Sequence, residues 1–169
     1  MNYQDLLDYF GRLHPREVDL NLTRIMRVLT ILDSPHHRLP PTIHIAGTNG
    51  KGSTISCLRY IYQAAGFKVH VYTSPHLIHY NERIRLAGTL ISNEMLTHYL
   101  KRVFEAKGAA NLTIFEALTA AAFLAFSETP ADVLLLETGL GGRLDATNVV
   151  ECPLACVFTP ISIDHQDFL

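Results

Sequence analysis

The chain has 169 residues, 48% of them hydrophobic, with 14 Lys+Arg against 16 Asp+Glu. That length and apolar share suit one globular domain with its own core, and the near-balanced charge leaves no basic surface for nucleic acid and no acidic tail. No apolar run approaches the ~20 residues that span a bilayer, and the opening MNYQDLLDYF carries acids where a signal peptide carries Lys or Arg, so the expected setting is the cytoplasm.

In chain order, residues 3–13 and 21–32 (NLTRIMRVLTIL) place apolar side chains three and four apart, the pattern of two amphipathic helices. His36-His37 reads as a polar loop. Pro40-Pro41 stops any helix, and TIHIA begins a strand. After a glycine-rich loop, STISCLRYIYQAAG predicts a helix ending at Gly66, and KVHVYT a second strand. Residues 83–92, RIRLAGTLIS, alternate about a glycine as a hairpin or extended flap. Helices are expected over about 93–106 and 113–127; the second opens on Thr113 with Glu116 three residues later, a capping box. DVLLLE at 132–137 and LACVFT at 154–159 are apolar at successive positions, as strands buried on both faces of a parallel sheet are. Cys57, Cys152 and Cys156 are expected to be plain buried thiols, since nothing beside them completes a zinc set.

This order predicts an α/β fold: a P-loop-type, doubly wound, mostly parallel sheet flanked by helices. Ligands in such sheets bind beyond the carboxyl ends of the strands. Gly47, Ser74, Glu137 and Thr159-Pro160 all fall at those ends.

The loop GTNGKGST lets backbone N–H groups turn toward an anion, with a helix N-terminus behind them and the Lys51 ammonium as a point charge. It departs from G-x-x-x-x-G-K-[ST]: position 45 is Ile45, and Gly52 stands where a hydroxyl would reach a metal ion. The metal then needs an oxygen from a neighbouring strand end, and Ser74 supplies one. Taken singly, Glu137 reads as a cap or ion-pair partner, His165 as a loop histidine, Ser74-Pro75 as a turn and Thr113 as an N-cap. Gly139, Gly141 and Gly142 mark a loop where backbone passes close to a ligand or to another segment.

HIAGTNGKGST, YTSPHLIHYNERIR, LLLETGLGGRLDATN and SIDHQDFL resemble the successive motifs of the folylpolyglutamate synthase/dihydrofolate synthase family of the Mur ligase superfamily, from about Val18 to Leu169. The resemblance implies a Mur-ligase central-domain-like fold and an ATP-dependent ligase that adds L-glutamate to dihydropteroate, to reduced folate, or to both. A substrate carboxylate becomes an acyl phosphate, which the amine of glutamate then attacks. It implies that Thr48, Asn49, Gly50, Lys51, Gly52 and Ser53 hold ATP, and that Ser74, Glu137 and His165 ligate Mg²⁺, with Glu137 bridging two ions. Lys51, Glu137 and His165 would be the catalytic groups. Val18, Asp19, Leu20, Thr113, Ile114, Leu144, Asp145 and Ala146 would meet the pterin.

The same resemblance makes residues 1–169 an N-terminal ATP-binding domain, truncated, inactive alone and lacking a C-terminal glutamate-ligase domain. The full-length protein would be a monomer with small-molecule substrates and no nucleic-acid or membrane partner. The Glu137-to-His165 spacing is one residue longer than in the bifunctional enzymes, which a bulge would absorb. Two other readings stand beside it: a non-catalytic nucleotide-binding remnant, and another Mur-type amino-acid ligase, against which GLGGRLDATN argues.

Overall fold

The computed structural model describes residues 1–13 and 20–164. The elements are α1 (Tyr3–Leu13), α2 (Leu22–Ile31), β1 (Thr42–Ala46), α3 (Lys51–Ala64), β2 (Val69–Tyr72), β3 (Ile84–Leu86), β4 (Thr89–Leu90), α4 (Asn93–Glu105), α5 (Ile114–Glu128), β5 (Val133–Glu137) and β6 (Ala155–Phe158). They form one six-stranded sheet in the order β4-β3-β2-β5-β1-β6. Strands β2, β5, β1 and β6 run parallel, and the short β3–β4 hairpin adds an antiparallel edge. This is the doubly wound α/β sheet that the sequence predicts.

Side-chain alternation sends successive strand residues to opposite faces, so an all-apolar strand feeds two cores. Val133 and Leu135 join Val69, Val71, Ile43 and Ile45 under α3, through Ile55 and Leu58. Leu134 and Leu136 face the other way, into a larger cluster with Tyr72, Ile84 and residues of α1, α2, α4 and α5. Helix α5 is buried along its length from Glu116 to Phe126, which explains its all-round apolar sequence. Removing Phe123 or Leu124, both fully buried, would forfeit about 2–5 kcal/mol each.

Local signals set the helix starts. Asn21 accepts from Thr23 N at 2.7 Å, and Ser92 from Met95 N at 3.2 Å. Thr113 and Glu116 form the expected reciprocal box, at 3.1 and 2.7 Å. Arg24 of α2 meets the Glu116 carboxylate at 3.2 Å, tying the box to a second helix.

Three expectations need correction. Strand β6 is not buried on both faces: Ala155, Cys156 and Phe158 are all exposed, because β6 is the edge strand and the described residues leave both its faces largely open. The three cysteines are free but exposed, on the outer side of α3, in a loop and on that open edge. His36 is no polar loop residue; it sits in a 3₁₀ turn (Pro35–Arg38), only 5% exposed, because that turn packs on α5.

Candidate phosphate and metal site

The register decides which side chains meet. Ile45 stands opposite Glu137 and Ala46 opposite Phe158, so β1, β5 and β6 end at one level. Tyr72 of β2 is opposite Leu136, which carries Ser74 past the tip of β5. The Ser74 N–H donates to Glu137 Oε2 at 3.0 Å. Lys51, at the head of α3, is close enough for its charge to act on Glu137.

The glycine loop is bound from beneath. Thr159 N–H bonds the Ala46 carbonyl at 2.8 Å, and the Thr48 and Asn49 amides share the Pro160 carbonyl at 3.0 and 3.4 Å. Thr48 Oγ1 exchanges hydrogen bonds with backbone Ser162, both 3.1 Å, and Asn49 Nδ2 reaches Ser162 Oγ at 3.4 Å. The approach is so close that a Cβ on Gly47 (φ +137°) would lie 2.1 Å from Thr159 Oγ1, so only glycine fits. The backbone of Thr48 and Asn49 is therefore committed to the 159–162 segment. Outward-facing donors come from the first turn of α3, where Lys51, Gly52 and Ser53 precede the first turn-closing bond from Thr54 N to Gly50 O, 2.9 Å. Lys51 Nζ rests on the Gly47 and Thr48 carbonyls at 2.9 and 3.4 Å.

A cleft of about 160 Å³ opens above this loop, bounded by Gly47, Thr48 and Lys51 on one side, Gly139 to Gly141 on another, and Phe158, Ile161, Ser162 and Asp164 on the third. Sequence reasoning marked Thr159-Pro160 only by position and missed Phe158, Ile161 and Ser162 altogether. Their approach depends on chain folding after β6, which no local pattern encodes.

Glu137 is 4% exposed. Burial pushes its carboxyl above the usual range, against the Ser74 N–H and the Lys51 charge. It makes no ion pair within 4 Å among the described residues. A buried carboxylate with one neutral donor and a serine beside it suits a hard divalent cation, which would restore its charge and takes oxygen ligands. Among the described residues no three His, Cys, Asp or Glu cluster, so the described part of such a site is Glu137 and Ser74. His165, Val18 and Asp19 lie outside the described residues.

Of the remaining substrate candidates, Leu144, Asp145 and Ala146 lie on the turn that follows Gly139. Phe115, next to Ile114 and two residues beyond Thr113, packs so close that a Cβ on Gly139 would stand 2.5 Å from its ring. Leu144 is 45% exposed, Ala146 is buried, and Leu20 is half-buried before α2. Asp145 is 2% exposed, and its carboxylate is taken up by protein: Oδ2 accepts from Gly139 and Leu140 N–H, both 2.9 Å, and Oδ1 from Thr147 N at 2.9 Å and Oγ1 at 2.5 Å. Desolvation pushes its carboxyl up while these four donors oppose the shift.

A glycine loop between strand and helix at the tips of a parallel sheet, with a carboxylate on the adjacent strand, defines the class of P-loop-type α/β domains. Comparison with known proteins narrows the class. No family model matches the chain. The dihydrofolate synthase/folylpolyglutamate synthase of Escherichia coli K12 is 43% identical over 163 residues, 96% of this chain and 38% of that protein. The structure of E. coli FolC in complex with DHPP and ADP superposes with a TM-score of 0.90 at 40% identity, covering 100% of this chain and 40% of that one. A bifunctional folylpolyglutamate synthase/dihydrofolate synthase with Mn, AMPPNP and L-glutamate bound gives 0.88 at 40% identity, again over 100% and 40%. The chain belongs to the dihydrofolate synthase/folylpolyglutamate synthase family. It spans about two fifths of the length of the relatives it matches.

Proposed function

We propose that residues 1–169 are the nucleotide-binding part of an ATP-dependent ligase that joins L-glutamate to dihydropteroate, to reduced folate, or to both, through an acyl phosphate. The carrying observation is the convergence of Lys51, Ser74 and Glu137 at neighbouring strand tips, with Ser74 N–H 3.0 Å from the Glu137 carboxylate. Support also comes from relatives solved with ADP, or with AMPPNP, Mn and L-glutamate.

In this reading the α3 amides of Lys51, Gly52 and Ser53 and the Lys51 ammonium receive the phosphates, with Thr48, Asn49 and Gly50 setting the loop's shape. Lys51 leaves its two carbonyl acceptors for the γ-phosphate, where its charge favours the transferred group. Ser74 and Glu137, with His165, would hold Mg²⁺, which supplies charge neutralisation of the phosphates. Leu20, Thr113, Ile114, Leu144 and Ala146, with Val18 and Asp19, would shape the pterin side, and Asp145 acts by folding its turn. A further glutamate-binding domain would complete the enzyme, as a cytoplasmic monomer; the free thiols fit a reducing compartment.

The test is full-length protein incubated with ATP, Mg²⁺, labelled glutamate and dihydropteroate. Glutamate-dependent release of ADP together with labelled dihydrofolate is expected. Lys51→Ala should keep the fold and lose nucleotide affinity by about 10–100-fold, the worth of a charge-assisted contact. Normal turnover by that variant would refute its phosphate role.

A further inference from the structure

His44 is a buried polar side chain of β1 that the proposed chemistry leaves unused. It is 7% exposed, in the middle of the strand that leads to the glycine loop. Its Nε2 lies 2.8 Å from Thr147 Oγ1. That hydroxyl has one proton and a carboxylate oxygen 2.5 Å away, Asp145 Oδ1, which only accepts when ionised. The hydroxyl proton therefore goes to Asp145, and the second bond to Thr147 must be donated by His44. The imidazole carries its proton on Nε2. Burial, which pulls its pKa down to about 4, keeps it neutral at physiological pH.

The acceptor at the end of this relay holds the turn between Glu137 and the substrate candidates. Asp145 Oδ2 binds the amides of Gly139 and Leu140, two residues of the cleft wall facing Lys51. Thr147 is fully buried, so without His44 its lone pair would have no solvent to turn to. We infer that His44 is a positioning residue: by donating through Thr147 to Asp145, it fixes the 139–147 turn against the glycine loop and so sets the acceptor-substrate side of the cleft. The inference rests on the ligase reading for the identity of that substrate, but not for the relay itself.

The experiment uses full-length protein, wild type, His44→Phe and His44→Gln; the glutamine reaches where Nε2 lies, and the phenyl ring fills the space without a donor. Hydrogen exchange at the Gly139 and Leu140 amides should quicken about tenfold in H44F, the worth of one buried hydrogen bond, and return in H44Q. Exchange at Ile55 in α3 should not change. The KM for dihydropteroate should rise by a similar factor in H44F, with kcat within about twofold, and H44Q should restore it. Nitrogen-15 spectra of the wild type should show a protonated Nε2 and a bare Nδ1. A proton on Nδ1, unchanged exchange at the turn in H44F, or equal loosening of turn and α3 would each overturn the inference. Absent turnover in the wild type would sink the ligase reading alone, because exchange and tautomer are read without substrate.

Discussion

Two glycines of the same loop should respond to one added methyl group in opposite ways. In Gly47→Ala the new Cβ would stand 2.1 Å from Thr159 Oγ1 and 2.8 Å from the Thr159 carbonyl oxygen, and the backbone would keep φ near +137°. The hydroxyl can rotate away; the backbone is held by the bond from Thr159 N–H to the Ala46 carbonyl, 2.8 Å. Holding alanine at that φ costs about 1–3 kcal/mol, and overpacking against backbone about 1–3 kcal/mol more. Together, at about 2–4 °C per kcal/mol for a chain of this size, the melting temperature should fall by about 5–20 °C. Gly52 sits in the first turn of α3 with nothing within 4 Å of its would-be Cβ, so Gly52→Ala should hold or gain up to about 1 kcal/mol. Thermal unfolding followed by circular dichroism, without nucleotide, separates the two. If G47A melts within 2 °C of wild type, or G52A falls as far as G47A, the close approach of loop and 159–162 segment is wrong.

Asp145→Asn would set an amide –NH₂ against donors on at least one side of the carboxylate, leaving buried N–H groups unpaired. Chemical denaturation should show a loss of about 2–5 kcal/mol, and a neutral result would remove Asp145 as the organiser of its turn. His44 titrates near 4 rather than 6.5 because of burial, so the unfolded chain binds its proton first. The contribution is full above pH 6.5 and falls by about 3 kcal/mol as pH drops to 4. His44→Gln should lack that part of the acid slope, and superimposable stability–pH curves would argue against a buried neutral imidazole. Glu82 is held down to about 2, chiefly by the N–H of His79 and then of Leu77, with Ile78 adding a third donor, at 2.7, 2.8 and 2.9 Å. Its ordering of the 77–79 loop is present above the usual carboxylate range and lost as pH falls toward 2. Amide protection there should exceed that of Glu82→Gln at neutral pH and converge with it in acid; a constant difference would mean the charge is irrelevant.

Among the described residues, sequence alone placed the five α-helices and strands β1, β2, β5 and β6 to within about two residues of their ends, and read 83–92 as a hairpin or flap, while the 3₁₀ turn at Pro35–Arg38 went unread. Three- and four-residue apolar spacing, the Thr113–Glu116 box and proline and glycine stops act over a few neighbouring residues. It also placed Gly47, Ser74, Glu137 and Thr159-Pro160 at strand ends, because parallel strands of similar length finish together. Only tertiary structure decided what those ends touch. Strand order set β5 between β2 and β1: the β2–β5 pairing gives the Ser74–Glu137 contact, and the place of β1 in the sheet gives the His44–Thr147–Asp145 relay, spanning 103 positions of sequence between His44 and Thr147. It decided burial as well: β6 has the apolar run of a central strand but sits at an edge, and the cysteines it was expected to hide are exposed. Periodicity records what a segment is able to bury, while its neighbours in space determine whether it does.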